Sequence, residues 1–317
     1  MLTPEQKRLR LGRITSSNAA AALGRDPHAS PRRAKTRILG QDVQVTLEAM
    51  QRGDLLEQPT VNFAAVALRL EAAPAPFVAH ENGWSGDSTD ALLSDPKTGE
   101  VKALVEAKTV GLGNRDAWGQ EMTDEVPQNV LIQCHWHLLH HPYVDLCYVP
   151  VLFGGYDFRF GLYVVGRNQA FSTRIYEDCK AWHAKYIVGD EEVPCTGLDD
   201  DTQLLKSCYP FDNDETIEAP PQAARWVQDY AECKKRRDDA LKTYEEVRNR
   251  IRDCIKDAAA MYGDGFKITY KNSKESTKID WQAVATELQA PAEIVHKHTT
   301  CRAGPRVLRI SHKEDSQ

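Results

Sequence analysis

The spacing of apolar and polar positions changes character twice along the chain. Up to about residue 70 the period is helical. Residues 1–11 are charged and read as a helix, and Thr15 or Ser16 is placed to cap a short alanine-rich helix ending near Leu23-Gly24. The run from Ser30 to Gly40 has proline in its first turn and glycine at its end, which predicts another helix. A helix starting around Gln58, with Pro59 in its first turn, carries Val61, Phe63, Val66 and Leu70. Alternation then predicts strands at 77–79, 90–93, 101–110, 144–152 and 158–165, with helices from about Asn114, over 126–139 and over 171–186. Residues 190–221 are acidic, contain Pro and Gly, and read as a linker or surface meander. Helical spacing returns at Trp226, Tyr230, Cys233, Ala240, Tyr244, Val247 and Ile251, with charges between. This predicts one long amphipathic helix packed on its own domain, since an intermolecular coiled coil needs more sustained heptads. A hairpin at 265–270 and 276–280, a short helix from Trp281 and a strand near 307–310 complete the expectation. The fold class is α/β (α+β): a mixed sheet flanked by helices, then a long helix and a hairpin.

Composition changes this picture little. The 317 residues suffice for one large or two ordinary domains and a sizeable core. No run approaches the roughly 18 consecutive apolar residues of a membrane span, and residues 1–12 have no apolar stretch of the kind a secretory leader needs. The eight cysteines lack any C-x-x-C spacing, so free thiols and a cytoplasmic setting are expected. The net charge of −6 counts against loose, charge-driven binding to nucleic acid, but not against a local positive channel around an acidic site.

One predicted hairpin concentrates chemistry. It runs from Trp84 through Asp90, turns at Asp95-Pro-Lys-Thr-Gly99, and returns from Val101 to Lys108. Residues two apart on a strand share a face, so Glu106 and Lys108 project together and Ala107 points away. A turn centred near Lys97 brings Asp90 opposite Glu106. Two carboxylates and an ammonium on one face can hold a hard divalent cation and direct an attacking water. Taken singly, each residue reads as an ordinary turn acid or strand-edge charge; the combination carries the signal. His135, His137, His140 and His141 form a second cluster, but no Cys pair or H-E-x-x-H completes a zinc site. On the predicted helix His135 is expected toward the active site and the other histidines elsewhere.

The Asp90…Glu106-Ala-Lys108 set resembles the core of the PD-(D/E)xK nucleases, with Thr89 where proline is usual. Further segments resemble one family within it, the YqaJ viral recombinases, which include the lambda-phage exonuclease. These are Leu9-Arg-Leu-Gly-Arg-Ile-Thr-Ser-Ser17, Gly53-Asp-Leu-Leu-Glu57, Ser88-Thr-Asp90, Glu106-Ala-Lys108, and Pro127 followed by Gln133-Cys-His-Trp-His-Leu138. The resemblance covers about residues 8–190. An iron–sulfur cluster, found in related CRISPR-associated exonucleases, needs a cysteine ahead of the core, whereas here the first is Cys134.

The resemblance implies a nuclease core over 1–193, a linker over 194–216 and an extension over 217–317. It implies Asp90, Glu106, the main-chain carbonyl of Ala107 and Glu57 as ligands of Mg²⁺, for which Mn²⁺ would substitute. Lys108 would orient or deprotonate water, and Gln133 would touch the catalytic zone. Arg10, Ser17 and Ser88 would hold a terminal 5′-phosphate, with Arg115 a fourth member at a slightly long spacing. The implied activity is 5′-to-3′ exonuclease digestion of double-stranded DNA ends, leaving 3′ single-stranded tails for annealing recombination. The implied assembly is a ring-shaped homo-oligomer, commonly a trimer, of phage or prophage origin in a bacterial cytoplasm. The alternatives are a PD-(D/E)xK endonuclease and a nucleolytically inactive DNA-binding scaffold. Lys234-Lys-Arg-Arg237 reads as a solvated helix face, with DNA backbone or a single-strand annealing protein as the alternative contact.

Overall fold

The computed structural model describes residues 4–41, 48–155, 158–273, 275 and 277–300. The chain forms two units, divided between Cys208 and Tyr209.

The first unit opens with α1 (Pro4–Arg10), α2 (Ser16–Ala22), α3 (Pro31–Ile38) and α4 (Glu48–Leu68). Then come β1 (Glu71–Ala73), β2 (Val78–Ala79), β3 (Gly86–Asp87), β4 (Ala91–Ser94), β5 (Val101–Val105) and β6 (Lys108–Val110). A 3₁₀ segment, Leu112–Ala117, leads to α5 (Gln128–His140), β7 (Leu146–Phe153), β8 (Arg159–Gly166), α6 (Gln169–His183) and α7 (Asp199–Cys208).

The main sheet runs β1-β4-β5-β7, with β6 also on β7 and β8 paired to β7. Only β5 and β6 lie parallel to β7, and α5 makes the crossover that a parallel pair requires. β5 and β6 keep one register along β7, Val105 facing Tyr148 and Lys108 facing Val151, so they are a single strand broken at Glu106-Ala107. The continuous strand expected over 101–110 is therefore interrupted where the chemistry lies. β7 is apolar on both faces because both are covered. On one side Val61 of α4 packs with Ala91, Leu93, Ala103 and Val105. On the other, Val130, Cys134 and Leu138 of α5 pack against Leu104, Cys147, Val149 and Val151. A second layer joins α2, α3 and α6 to the far side of α5 around Trp136, Ile38, Ile175 and Trp182.

Two expectations for this unit change. Pro59 lies inside α4, not in its first turn. The helix continues through it; Thr60 Oγ1 donates to the Leu56 carbonyl at 2.7 Å, and burial of Val61 and Ala64 against the sheet outweighs the lost backbone bond. Glu57 consequently sits in the middle of a helix instead of at its start. The stretch 194–216, read as a linker, contains α7. Its Asp200 accepts from the Ser30 amide at 2.9 Å and from Arg33 Nε at 3.0 Å, tying it to the start of α3. Acidity there reflects a docked helix, not a solvated tether.

The second unit holds α8 (Ala223–Ile255), β9 (Ala260–Gly263), β10 (Phe266–Thr269), α9 (Trp281–Glu287) and α10 (Ala292–Lys297). The hairpin expected between 265–270 and 276–280 instead pairs β9 with β10. Asp264-Gly265, with Gly265 at φ +76°, supplies the two-residue turn whose Asp-Gly signature specifies a hairpin. α8 is exposed over most of its length, Trp226, Tyr230, Tyr244 and Val247 included, with Ile255 at its end buried, so the expected packing of most of its apolar stripe is not seen among the described residues. The neighbouring hairpin and two short helices are too small to cover 33 residues of helix. The strand expected near 307–310 lies outside the described residues.

Candidate active site

The hairpin of β4 and β5 pairs Ala91 with Val105, which sets Asp90 and Glu106 opposite each other at its open end. Three bonds close that end. The Asp90 amide donates to the Val105 carbonyl at 3.1 Å, and Thr89 Oγ1 donates to the same oxygen at 2.6 Å. The Ala107 amide donates to Asp90 Oδ2 at 2.8 Å. Thr89, standing where the related pattern has proline, thus keeps its buried hydroxyl paired. The break between β5 and β6 frees the Ala107 amide from the ladder for this purpose.

Glu106 and Lys108 meet as expected, Lys108 Nζ lying 2.5 Å from Glu106 Oε1 and 3.0 Å from Gln133 Oε1. Asp90, Glu106, Lys108 and Gln133 therefore converge. Burial, and then the charges of Glu106 and Glu57, push the Asp90 carboxyl up to about 8. Burial would also raise Glu106, but Lys108 and His137 outweigh it and hold that carboxyl below its ordinary value. Burial would lower the Lys108 ammonium, and Glu106 more than reverses this. Glu57 is exposed on α4; its carboxyl is raised by partial desolvation and by the charges of Glu106 and Asp54.

The helix α5 carries a second set that the sequence reading placed elsewhere. His137 is fully buried, with Nε2 2.8 Å from Glu106 Oε2 and Nδ1 2.9 Å from both carboxylate oxygens of Asp87. His141 Nε2 lies 3.1 Å from Asp87 Oδ2, and its Nδ1 2.9 Å from the Tyr143 hydroxyl. His135, expected toward the site, is instead 3.3 Å from Ser172 of α6 and edge-on to Phe171. Helical rotation is the reason. Residues two apart differ by roughly 200°, while residues four apart share a face, so Gln133 brings His137 and not His135 with it. His137, expected away from the site, shares the face of Gln133 by its four-residue spacing, and Asp87 is a member of the site that the sequence motifs do not mark. The His137 nitrogens both face acceptors, and the flanking carboxylates hold its proton affinity well above the ordinary histidine range against burial.

The candidate phosphate-holding residues fall into two places. Arg10 Nη2 donates to Ser17 Oγ at 2.6 Å and to Thr15 Oγ1 at 3.0 Å. Thr15 is thus an unanticipated member, and its hydroxyl is engaged here and not in capping α2. A parallel bridge of Ile14 with Ser85 carries this loop alongside the segment leading to Asp90, and Ser16 Oγ donates to the Ser88 carbonyl at 3.4 Å. Asp87 and Glu106 act electrostatically on the Arg10 guanidinium, which burial lowers. Arg115 is fixed at the end of β7, donating to the Gly154 carbonyl at 2.8 Å with its guanidinium 5.8 Å from the Phe153 ring centroid.

Among the described residues no group of three or more His, Cys, Asp or Glu side chains is arranged to hold a metal ion. Glu57 is accordingly not gathered with Asp90 and Glu106 as a third ligand. The two carboxylates still suit Mg²⁺, which keeps most of its waters and binds through one or two carboxylates plus substrate oxygens. The crowding of Asp90 by Glu106 and Glu57 is what such a cation would relieve.

Among solved structures, the fold is similar to an alkaline exonuclease, LHK-Exo, from Laribacter hongkongensis, at 18% identity and a TM-score of 0.46, covering 65% of this chain and 97% of that one. The same protein in complex with dAMP gives 18% identity, a TM-score of 0.47 and the same coverage. A phage-related exonuclease from Haemophilus somnus 129PT gives 14% identity and a TM-score of 0.41, covering 64% of this chain and 99% of that one. Among curated proteins no sequence matches. The family model of the YqaJ-like viral recombinase domain matches residues 5–140, a span that takes in the Arg10 loop, the Asp90–Glu106–Lys108 set and the whole of α5. Over those residues, somewhat less than half of the chain, the protein is similar to the YqaJ-like viral recombinase domain.

Proposed function

We propose that this protein is a Mg²⁺-dependent exonuclease that degrades the 5′ strand of double-stranded DNA ends and leaves 3′ single-stranded tails for annealing recombination. The observation that carries the reading is the convergence of Asp90, Glu106 and Lys108 at the open end of one hairpin, with Gln133 gripping the lysine. The viral recombinase match supports a nuclease role. Asp90 and Glu106, with the Ala107 carbonyl, would hold Mg²⁺; when bound, the ion neutralises phosphoryl oxygens and activates water. Lys108, held by Glu106 and Gln133, presents an ammonium to the attacking water and to the charge that develops on phosphate. Arg10, Ser17 and Ser88 would receive the 5′-phosphate, the guanidinium fork matching its oxygens. Arg115 would be a fourth phosphate-holding residue, and Glu57, within electrostatic reach of Glu106 and Lys108, would approach the ion once it is bound.

A ring-shaped oligomer, a trimer by resemblance, would thread the duplex, so that processivity comes from topology and the net charge of −6 is no obstacle. A single-strand annealing protein is the partner such tails call for. No described helix is long and apolar enough to cross a membrane; the bacterial cytoplasm is the proposed setting.

The test is digestion of end-labelled duplex, with and without a 5′-phosphate, in Mg²⁺, in Mn²⁺ and in chelator. Label should leave 5′ ends, faster when phosphorylated, and only with metal. Release from 3′ ends would overturn the polarity, cutting of closed circles would point to an endonuclease, and inertness with every divalent metal would leave a DNA-binding scaffold.

A further inference from the structure

We propose that His137, aligned by Asp87, is a positioning residue that fixes the direction of the Glu106 carboxylate; the inference rests on the nuclease reading above. The geometry is one face of α5. Gln133 and His137 stand one turn apart, and each holds one member of the Glu106/Lys108 pair. Gln133 Oε1 accepts from Lys108, and His137 Nε2 meets Glu106 Oε2 at 2.8 Å. Behind His137, Asp87 takes Nδ1 on both oxygens at 2.9 Å. Asp87 is in turn held by His141, one turn further along, and His141 by Tyr143.

The last torsion of a glutamate is broad and nearly two-fold, so a lone carboxylate presents its lone pairs over a wide arc. Here Oε2 is pinned by an imidazole and Oε1 is turned toward Lys108, which leaves the remaining lone pairs of Glu106 in fixed directions. Carboxylates that ligate metals are commonly oriented by hydrogen bonds from behind, the position His137 has relative to Glu106. A buried charged row is a poor way to stabilise a core. An apolar set of the same volume is often as stable or more so, and the neighbouring Trp136 and Leu138 show that this helix packs apolar side chains well. The row ends on Glu106, the residue proposed to meet the cation.

The experiment compares the full chain with three variants. His137→Met removes both imidazole bonds. Asp87→Asn/His137→Met also neutralises Asp87, which the first change leaves with His141 as its remaining imidazole partner, so it is the variant to use should the single one fail to fold. His140→Met is the control: His140 is equally buried on α5 but bonded to the Trp136 carbonyl and the Ser85 hydroxyl. Mn²⁺ affinity is measured by calorimetry without DNA; kcat and KM are measured on 5′-phosphorylated duplex; melting is followed for all. The His137 variants should lose about 10- to 100-fold in Mn²⁺ affinity and in kcat, with KM for duplex nearly unchanged. The control should keep both at a comparable loss of melting temperature, and His137→Gln, which restores one donor, should recover part of the loss. Full Mn²⁺ affinity and kcat in the His137 variants, or equal losses in the control, overturn the positioning role. A natural-sequence protein that neither binds Mn²⁺ nor cuts overturns the nuclease reading itself, which is a different result.

Discussion

Lys108 is the residue on which most of the chemistry turns, because it touches both Glu106 and Gln133. Replacing it with alanine should lower the rate of duplex digestion by at least about a hundredfold, with Mn²⁺ binding retained, since the ammonium orients water while the carboxylates hold the ion. Arg10 makes a different prediction. Arg10→Ala should abolish the preference for 5′-phosphorylated over hydroxyl ends in a competition digest, while activity on hydroxyl ends stays close to that of the natural sequence. Two histidines define a pH response that does not involve the active carboxylates. Burial lowers His135 and His140 below 6.5; for His140, Asp87 and the Trp136 carbonyl oppose the shift and His80 and His137 add to it. The unfolded chain therefore takes up these protons first as pH falls, and stability drops below about pH 6.5. His137 acts in the other direction: its contribution is complete below that value and is lost as pH rises through its raised pKa. Asp90, whose carboxyl is raised to about 8, acts in the opposite direction over the same range, so the check is a difference: relative to the natural sequence, His140→Gln should shift melting temperature upward as pH falls below about 6.5.

At the scale of elements, two local devices decide how the site is framed. Ser30 caps α3, its hydroxyl accepting from the Arg33 amide at 3.0 Å, while its own amide is taken by Asp200 of α7. Ser30→Ala should cost about 1 kcal/mol in chemical denaturation, the usual loss for an N-cap, without altering kinetics. α5 is the more consequential element. It is the crossover between the parallel strands, it supplies core to both its neighbouring layers, and one of its faces grips the Glu106/Lys108 pair. Placing His135 at the site from a sequence pattern misjudged the face by about half a turn. Gln133 and His137 could be paired by spacing, but nothing in the spacing says which of the helix faces meets the hairpin. That is set by Trp136, whose indole Nε1 donates to the Gly86 carbonyl at 2.9 Å and anchors α5 over β3.

At the scale of the whole molecule, the chain is two units of different character. The first has the sheet, the layered core and every candidate catalytic residue; the second is a long exposed helix with a small hairpin and two short helices. A chain ended after Cys208 should fold and keep the hairpin site, whereas one ended after Leu198 should lose about 2 to 4 kcal/mol. It forfeits the buried Leu204 and the Asp200 bonds to α3. Thermal melts of the two truncations check this. Sequence alone determined the features that short-range rules govern. The hairpin register that sets Asp90 against Glu106 is fixed by a turn and by two-residue alternation; the Pro31 helix and the short motifs that carry the family resemblance are local in the same sense. Tertiary structure decided the features that depend on which surfaces meet. It carried a helix through Pro59, docked an acidic stretch as α7, and broke a strand at Glu106-Ala107. It also turned His137 of α5 instead of His135 toward the carboxylates, joining Asp87, three residues before Asp90, to Glu106. The physical division is one of range: backbone geometry and turn chemistry are written over a few neighbouring residues. The choice of helix face, and the pairing of buried charges from distant segments, are settled only when the layers pack.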